Sequence, residues 1–382
     1  MNGRKYHPAV RPRIPPAITR LHVRSRAAAD LARVSRTAVR AYGGHPVAVV
    51  RRMRWLRRSE GFGYREALEL GLLDPGMSRR ECARYVSRHV NLSAQRRLNG
   101  HDEPALVTDK LVFQRYCEAI GLPVPRMVAV VYRESGSWTL PGRSLPLEAC
   151  GTEALPDSFV VKPCNGYEGY GVQLLHKAGG DRLLHHDGRA TTLPELLREL
   201  RGHREFESWI VQERETNHPV LAGLAGAETL HTIRFITLID HDGRPELLWT
   251  GMRLGLSRGP ADNFHGGAFG NAFCTVDSRT GVLGDAGWIR AGGLGVETGP
   301  VVPGSGVRTT GVALPHWEDA VEMVMRASPA FLPVRSIGWD IGLTPTGPIV
   351  IEANTNWGAA AVPGMRAVVA RLEEQALVRR MV

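Results

Sequence analysis

Two apolar, β-branched stretches near the C-terminus, Ile337–Leu343 and Ile349–Ala353, are separated by Thr344-Pro345-Thr346-Gly347. Turn residues between two strand-like runs dictate an antiparallel hairpin. Each run carries an acid, Asp340 in the first and Glu352 in the second, and Asn354 follows two residues later. Residues two apart on a strand share a face, so Glu352 and Asn354 point the same way. The hairpin sets Asp340 opposite residue 351 or 352, the turn leaving the register open by one. Two carboxylates and an amide then crowd one patch among apolar neighbours. Like charges so placed repel and raise each other's pKa. A hard divalent cation removes that conflict. Magnesium takes a few carboxylate or amide oxygens together with phosphate oxygens. The plainer alternative makes Asp340 a surface acid near the turn and Glu352 an edge charge.

A second feature lies upstream. Lys162 ends the apolar run Phe159–Lys162, and Pro163-Cys164-Asn165-Gly166-Tyr167-Glu168-Gly169-Tyr170-Gly171 follows. Glycines at 166, 169 and 171 let backbone N–H groups approach phosphate oxygens, and the lysine adds a point charge. Gly-Lys-Ser/Thr is absent and no helix follows, so this is no Walker loop. A plain β-hairpin with a surface lysine is the competing reading.

Arg234 lies inside the strand-like run Thr232–Ile239, and Arg253 near the end of Glu246–Leu254. Arginines among apolar residues need an anionic partner, either phosphate, which suits the planar guanidinium, or a protein carboxylate. Trp209-Ile210-Val211-Gln212-Glu213 reads as a strand with a polar end, suited to a hinge whose backbone bonds a purine edge. The loop Asp262-Asn263-Phe264-His265-Gly266-Gly267 follows Arg253 and is a candidate substrate loop or an ordinary surface loop.

The 382 residues include no apolar run of the roughly 18 residues that a spanning helix needs. The five cysteines, Cys82, Cys117, Cys150, Cys164 and Cys274, form no C-x-x-C pair, which points away from disulfide and zinc frameworks and toward a reducing cytoplasm. Net charge is +10, yet residues 1–60 hold 15 Lys+Arg against Asp30 and Glu60, leaving −3 for the rest. A basic leader on a near-neutral body suits an anionic surface or polymer or is simply a solvated face. No aromatic or groove-reading pattern supports nucleic acid. Nothing in the sequence sets the oligomeric state.

Four segments are expected: a basic leader at 1–58, disordered at its start and helical later; helices at 59–126; a lobe with the Gly-rich loop at 127–208; and a lobe with the paired acids at 209–382. Helices are expected at Tyr64–Leu73, Arg79–Val90, Asp109–Ile120, Leu193–Leu200, Trp317–Ala327 and Met365–Arg379, and residues 284–312 read as loop. The fold class is α+β with mainly antiparallel sheets.

From about residue 60 to 365 these elements resemble, in order and spacing, the ATP-grasp superfamily, in particular its sugar-transfer-associated branch, related to glutamate-ligase-like carboxylate–amine ligases. The residues that carry the resemblance are Asp109-Lys110, Phe159–Pro163 with its Gly loop, Ile210–Glu213, Thr232–Arg234, Met252–Gly255, Asp262-Asn263 with Gly266-Gly267, Ile337–Ile341 and Ile351–Asn354. The resemblance implies two α+β lobes enclosing ATP. It implies that Lys110 and Lys162 contact phosphates under the loop bearing Gly166, Gly169 and Gly171, and that Gln212, Glu213 and Arg214 form the adenine hinge. Arg234 and Arg253, with Lys162, would act at the transferring phosphate. Asp340, Glu352 and Asn354 would hold magnesium, with manganese as an alternative. Arg253, Asp262, Asn263, His265, Gly266 and Gly267 would meet the acceptor. Two departures stand out: the stretch several residues beyond the hinge, where related ligases often carry an acidic ribose partner, reads Thr216-Asn217-His218-Pro219 and leaves that partner unassigned, and Ala261 replaces an arginine two residues before the loop asparagine.

The activity implied is ATP-dependent ligation of a small-molecule carboxylate to an amine or thiol through an acyl phosphate, within glycan, cell-surface polymer or peptide-like metabolite biosynthesis. Phosphoryl transfer needs positioning and charge neutralisation more than covalent protein chemistry. Two rivals remain, a phosphotransferase on the same fold and a non-catalytic nucleotide-binding scaffold.

Overall fold

The computed structural model describes residues 16–100, 104–140, 143–146, 149, 151–166, 169–225, 229–256, 271–290, 294–303, 305–358 and 364–381. Seven helices come first: α1 (Pro16–Tyr42), α2 (Pro46–Ser59), α3 (Tyr64–Glu69), α4 (Arg79–Cys82), α5 (Arg88–Asn99), α6 (Ala105–Thr108) and α7 (Lys110–Ala119). Two departures from expectation have local causes. The helix expected at 64–73 stops at Glu69 because Gly71 adopts φ +73°. The helix expected at 79–90 is two helices, since Ala83 closes α4 and the Ser87 hydroxyl starts α5 by accepting from Val90 N (3.2 Å). Val34, Ala38, Met53, Leu56, Phe62 and Leu72 pack α1–α3 around a core of their own.

An eight-stranded antiparallel sheet follows, in the order β3-β2-β1-β8-β4-β5-β6-β7. Its strands are β1 (Met127–Tyr132), β2 (Ser137–Leu140), β3 (Arg143–Pro146), β4 (Ser158–Pro163), β5 (Gln173–Lys177), β6 (Arg182–His185), β7 (Ala190–Thr192) and β8 (Ser208–Glu213). Helix α8 (Leu193–Gly202) presents Leu193, Leu196, Leu197 and Leu200 to one face, the i, i+3, i+4, i+7 spacing of an apolar stripe. Those leucines meet Phe159, Val161 and Leu175. Val160 and Lys162 therefore face the other way. Strand β8, which opens the segment expected at 209–382, pairs between β1 and β4, so the boundary between the sheets falls after Glu213.

The second sheet runs β13-β12-β11-β10-β9-β14-β15, from β9 (Thr232–Ile239), β10 (Pro245–Leu254), β11 (Ala272–Val276), β12 (Leu283–Ile289), β13 (Val296–Gly299), β14 (Ser336–Thr344) and β15 (Gly347–Asn354). Strands β12 and β13 occupy the stretch read as loop. Helix α9 (Pro219–Ala225) precedes the sheet, α10 (Trp317–Ala327) covers one face and α11 (Met365–Met381) packs with α5 on the other. Ile337, Trp339, Ile341 and Leu343 of β14 point toward α10, so Gly338, Asp340 and Gly342 point to the opposite face. No described helix is long and apolar enough to cross a membrane.

Candidate active site

The register of the C-terminal hairpin decides the site. From Thr344↔Gly347 to Ile341↔Val350 the pairing is regular, and then it shifts by one, so that Asp340 faces Glu352 and Gly338 faces Asn354. Ile351 is the extra residue, a β-bulge on β15. On its other side Asp340 faces Arg234 of β9. Asp340 is buried, and Arg234 grips it with both ends of its guanidinium, Nε to Oδ1 at 2.6 Å and Nη2 to Oδ2 at 3.1 Å. Arg253 adds Nη2 to Oδ2 at 2.8 Å and is steadied by Thr232 Oγ1, which accepts from its Nη2 at 2.6 Å and its Nε at 3.0 Å. The Asn354 amide donates to Glu352 Oε1 at 3.2 Å and to Asp340 Oδ2 at 3.4 Å.

Glycines clear the strand around Asp340. A Cβ on Gly338 would sit 2.8 Å from the Trp357 side chain, and one on Gly342 would sit 2.8 Å from Leu230.

The two acids titrate in opposite directions. Burial works against the Asp340 charge, but Arg234 and Arg253 overcome it and hold the carboxyl well below its usual range. Burial pushes Glu352 up, and the neighbouring Asp340 charge adds to it, while Lys110 and Arg253 pull back. Mutual elevation, expected from the sequence, therefore holds for Glu352 alone, because Asp340 has claimed both arginines. The anion that the mid-strand arginines needed is a protein carboxylate.

Two lysines approach, one from α7 and one from β4 of the first sheet. The Asp109 side chain caps α7 by accepting from Leu111 N (2.9 Å) and Val112 N (3.0 Å). This places Lys110 in the first turn, where its N–H donates to Cys164 O at 2.8 Å and its Nζ donates to Gly166 O. Burial and the Lys110 charge together bring the Lys162 ammonium down to about 8, with Glu352 opposing the shift. The Lys110 charge thus acts on both Lys162 and Glu352, and the Glu352 charge acts on Lys162.

Gly171 has φ +77°, and a Cβ there would lie 2.9 Å from Pro163 and 3.0 Å from Phe206. Gly166 would meet Pro163 at 3.1 Å, and Gly169 has φ +76°. Packing against Pro163 and Phe206 and positive φ angles account for these glycines.

Near the end of β8, the buried Gln212 side chain donates to Gln114 Oε1 at 2.7 Å. Gln114 in turn donates to Pro125 O at 2.9 Å and Glu118 Oε1 at 2.7 Å. Glu213 is ion-paired with Arg126 at 2.7 Å. The Glu213 N–H bonds Arg126 O, and the Arg214 N–H bonds Ser158 O. The expected substrate residues Asp262, Asn263, His265, Gly266 and Gly267 lie outside the described residues.

The donor set suits magnesium. Among the described residues no three His, Cys, Asp or Glu side chains gather as a metal cage, but two facing carboxylates and an amide match an ion that keeps few protein ligands. Glu352 is the better ligand, being the carboxylate that no arginine grips directly. Sequence reading missed Thr232, the Arg253 support, and Gln114, the Gln212 partner. A hydroxyl two residues before a mid-strand arginine was the available signal for Thr232. Gln114 offered none beyond sitting one helical turn after Lys110.

A family model described as sugar-transfer associated ATP-grasp matches residues 89–375. No curated protein matches the chain. Among solved structures, the D-alanine–D-alanine ligase from Bacillus anthracis complexed with ATP is similar at 13% identity and a TM-score of 0.38, over 74% of this chain and 69% of that one. D-alanyl-alanine synthetase A from Vibrio cholerae is similar at 12% identity and a TM-score of 0.41, over 72% and 65%. An N5-carboxyaminoimidazole ribonucleotide synthetase in its ADP complex is similar at 11% identity and a TM-score of 0.38, over 70% of this chain but only 50% of that one. The chain thus spans half the length of that last relative.

Proposed function

Because the chain belongs to the sugar-transfer-associated ATP-grasp family, we propose that it is an ATP-dependent ligase joining a carboxylate to an amine through an acyl phosphate. The observation that carries this reading is the coupling of the Lys110 charge on α7 and the Lys162 charge on β4 to Glu352 on β15, beside Asp340, Arg234 and Arg253.

In this reading Lys110 and Lys162 hold the triphosphate beneath the loop of Gly166, Gly169 and Gly171, and the 212–214 backbone carries the adenine. Glu352 and Asn354, with Asp340, would hold magnesium or manganese, which supplies charge neutralisation at the phosphate oxygens. Asp340 fixes Arg234 and Arg253 in place before the reaction, so their positive ends need no reorganisation as charge moves. The acceptor carboxylate attacks the γ-phosphorus, the bond to the β-γ bridging oxygen breaks and ADP leaves. The amine then attacks the acyl carbon, loses a proton and expels phosphate. Arg253, near the end of β10, meets the acceptor carboxylate, with Asp262, Asn263, His265, Gly266 and Gly267 completing its site.

The test is a panel of acid and amine pairs assayed for ADP and phosphate release, with mass spectrometry of the product. Equal ADP and phosphate with a condensed product is expected. ADP without free phosphate, and a stable phosphate ester, would instead identify a phosphotransferase. Nucleotide binding without turnover on any pair would identify a scaffold.

A further inference from the structure

The N-terminal helical hairpin has a surface that the nucleotide site does not use. Residues 28–58 carry eight arginines and a single acid, Asp30, and Asp30 is taken by Arg33 at 2.6 Å. Arg52 is turned inward onto Leu72 O and Met77 O, and Arg57 lies over the Tyr64 ring at 5.0 Å. Arg51, Arg54 and Arg58 are exposed and have no partner among the described residues. With Val47, itself 59% exposed, they stand at positions i, i+4, i+7 and i+11 of one helical face. On α1, Arg36 and Arg40 are exposed as well.

The other exposed positions of the hairpin are informative. Ala28, Ala29, Ala32, Ala41, Pro46 and Ala48 are small or apolar, and the exposed polar side chains besides arginine, His45 and Ser59, sit at the two ends of α2. Between those ends the outer surface is guanidinium and short apolar side chains. A surface that reads nucleic-acid bases adds stacking or amide side chains to its cations, and positions 47, 51, 54 and 58 of this face hold none besides the arginines. A lipid headgroup layer asks for cations that bind phosphate and for apolar groups that tolerate the interface. Arginine binds phosphate through paired hydrogen bonds.

The face is also held rigidly away from the cleft. Leu294 and Val296 of the β13 edge pack into the α1–α3 core, Gly295 N donates to Glu69 O at 2.9 Å, and a Cβ on Gly71 would lie 2.9 Å from Gly295 Cα. Strand β13 is five strand spacings from β14, roughly 24 Å at about 4.8 Å each. A surface docked on the hairpin leaves the lysine–carboxylate cleft open.

We propose that the α2 face of Val47, Arg51, Arg54 and Arg58 docks the protein on an anionic phospholipid bilayer. The test is sedimentation of the full chain with phosphatidylcholine vesicles, with and without phosphatidylglycerol, at physiological ionic strength. The full chain should sediment with the anionic vesicles only. The triple variant R51Q/R54Q/R58Q should bind them about 100-fold more weakly, from roughly a fivefold contribution per arginine. R96Q/R198Q/R326Q, an equal charge change at exposed sites elsewhere, should bind as the parent does. Val47→Asp should weaken binding without removing an arginine, and circular dichroism checks that each variant is folded. Equal loss in both triple variants would overturn the proposal, as would failure to bind anionic vesicles. Retention on duplex DNA that depends on the same three arginines, with no vesicle binding, would overturn it in favour of a nucleic-acid surface. None of these readouts depends on ATP turnover, so they stand or fall apart from the ligase reading.

Discussion

Asp340 faces Glu352 across the hairpin because Ile351 is bulged out of the β15 ladder. An unbulged ladder would set the apolar Ile351 against Asp340 and turn Glu352 to the other face. The two acids that meet are unlike in charge demand, since one owns two arginines and the other owns none.

Glu352→Gln separates stability from activity. The native Glu352 carboxyl holds its proton more tightly than the unfolded one, so the native state binds more protons between the ordinary value, about 4.3, and the raised one. Stability contributed by this group declines as pH rises through that window and is level above it. The glutamine variant lacks this decline. Its melting temperature without nucleotide should exceed that of the parent at neutral pH and match it in acid, while magnesium-dependent turnover is lost. Near-normal turnover would remove Glu352 from the metal set.

Asp340→Asn should instead destabilise the fold. It keeps the shape of the side chain but leaves Arg234 and Arg253, exposed by only 14% and 17%, facing each other without an anion. Breaking a buried pair by removing one partner costs about 3–5 kcal/mol. Urea unfolding should show a midpoint reduced accordingly. An unchanged midpoint would mean that the arginines have another anchor.

Much of this arrangement was legible because it follows simple periodicities. Alternation around Thr344–Gly347 gave the hairpin, and the run Asp109–Ile120 gave α7, although its cap is the Asp109 carboxylate and not the Thr108 hydroxyl that the sequence suggests. The register was open by one because a bulge leaves no signature in a run such as Ile349-Val350-Ile351, where each residue suits a strand. The partner of Arg234 was left open between phosphate and carboxylate because Asp340 lies 106 residues downstream. Strands β12 and β13 were read as loop because Gly284, Gly287, Gly295 and Gly299 dilute the alternation. Each of those glycines is explained only by a neighbour across the sheet or in another lobe, such as Phe273, whose ring lies 2.4 Å from a Cβ on Gly287.

Lys162 predicts an alkaline limit. Its ammonium, brought down to about 8 by burial and by Lys110, is charged below that pH and neutral above it. The kcat/KM for ATP reports the free enzyme and should fall as pH rises through about 8. Lys162→Arg keeps its charge at all these pH values and should flatten the alkaline limb. Lys162→Met should lower kcat/KM by about 10²–10³-fold, the usual loss of one preorganised donor. An alkaline limb unchanged in the arginine variant would assign it to another group.

The Gln114–Gln212 pair joins the second turn of α7, one turn after Lys110, to the end of β8. Both amides are buried, and Gln114 satisfies Gln212 and Pro125 O at once. Gln114→Met strands both partners, at about 1–3 kcal/mol for each buried group left unpaired. The urea midpoint should drop. The KM for ATP should rise as well, because the lysine and the hinge then lose their common reference. The double variant Gln114→Met/Gln212→Met strands only Pro125 O. Replacing both members of a hydrogen-bonded pair by apolar groups is nearly neutral, so it should recover part of the stability without recovering the KM. Recovery of both together would show that Gln114 serves packing alone and that the registration of Lys110 against the hinge is set elsewhere.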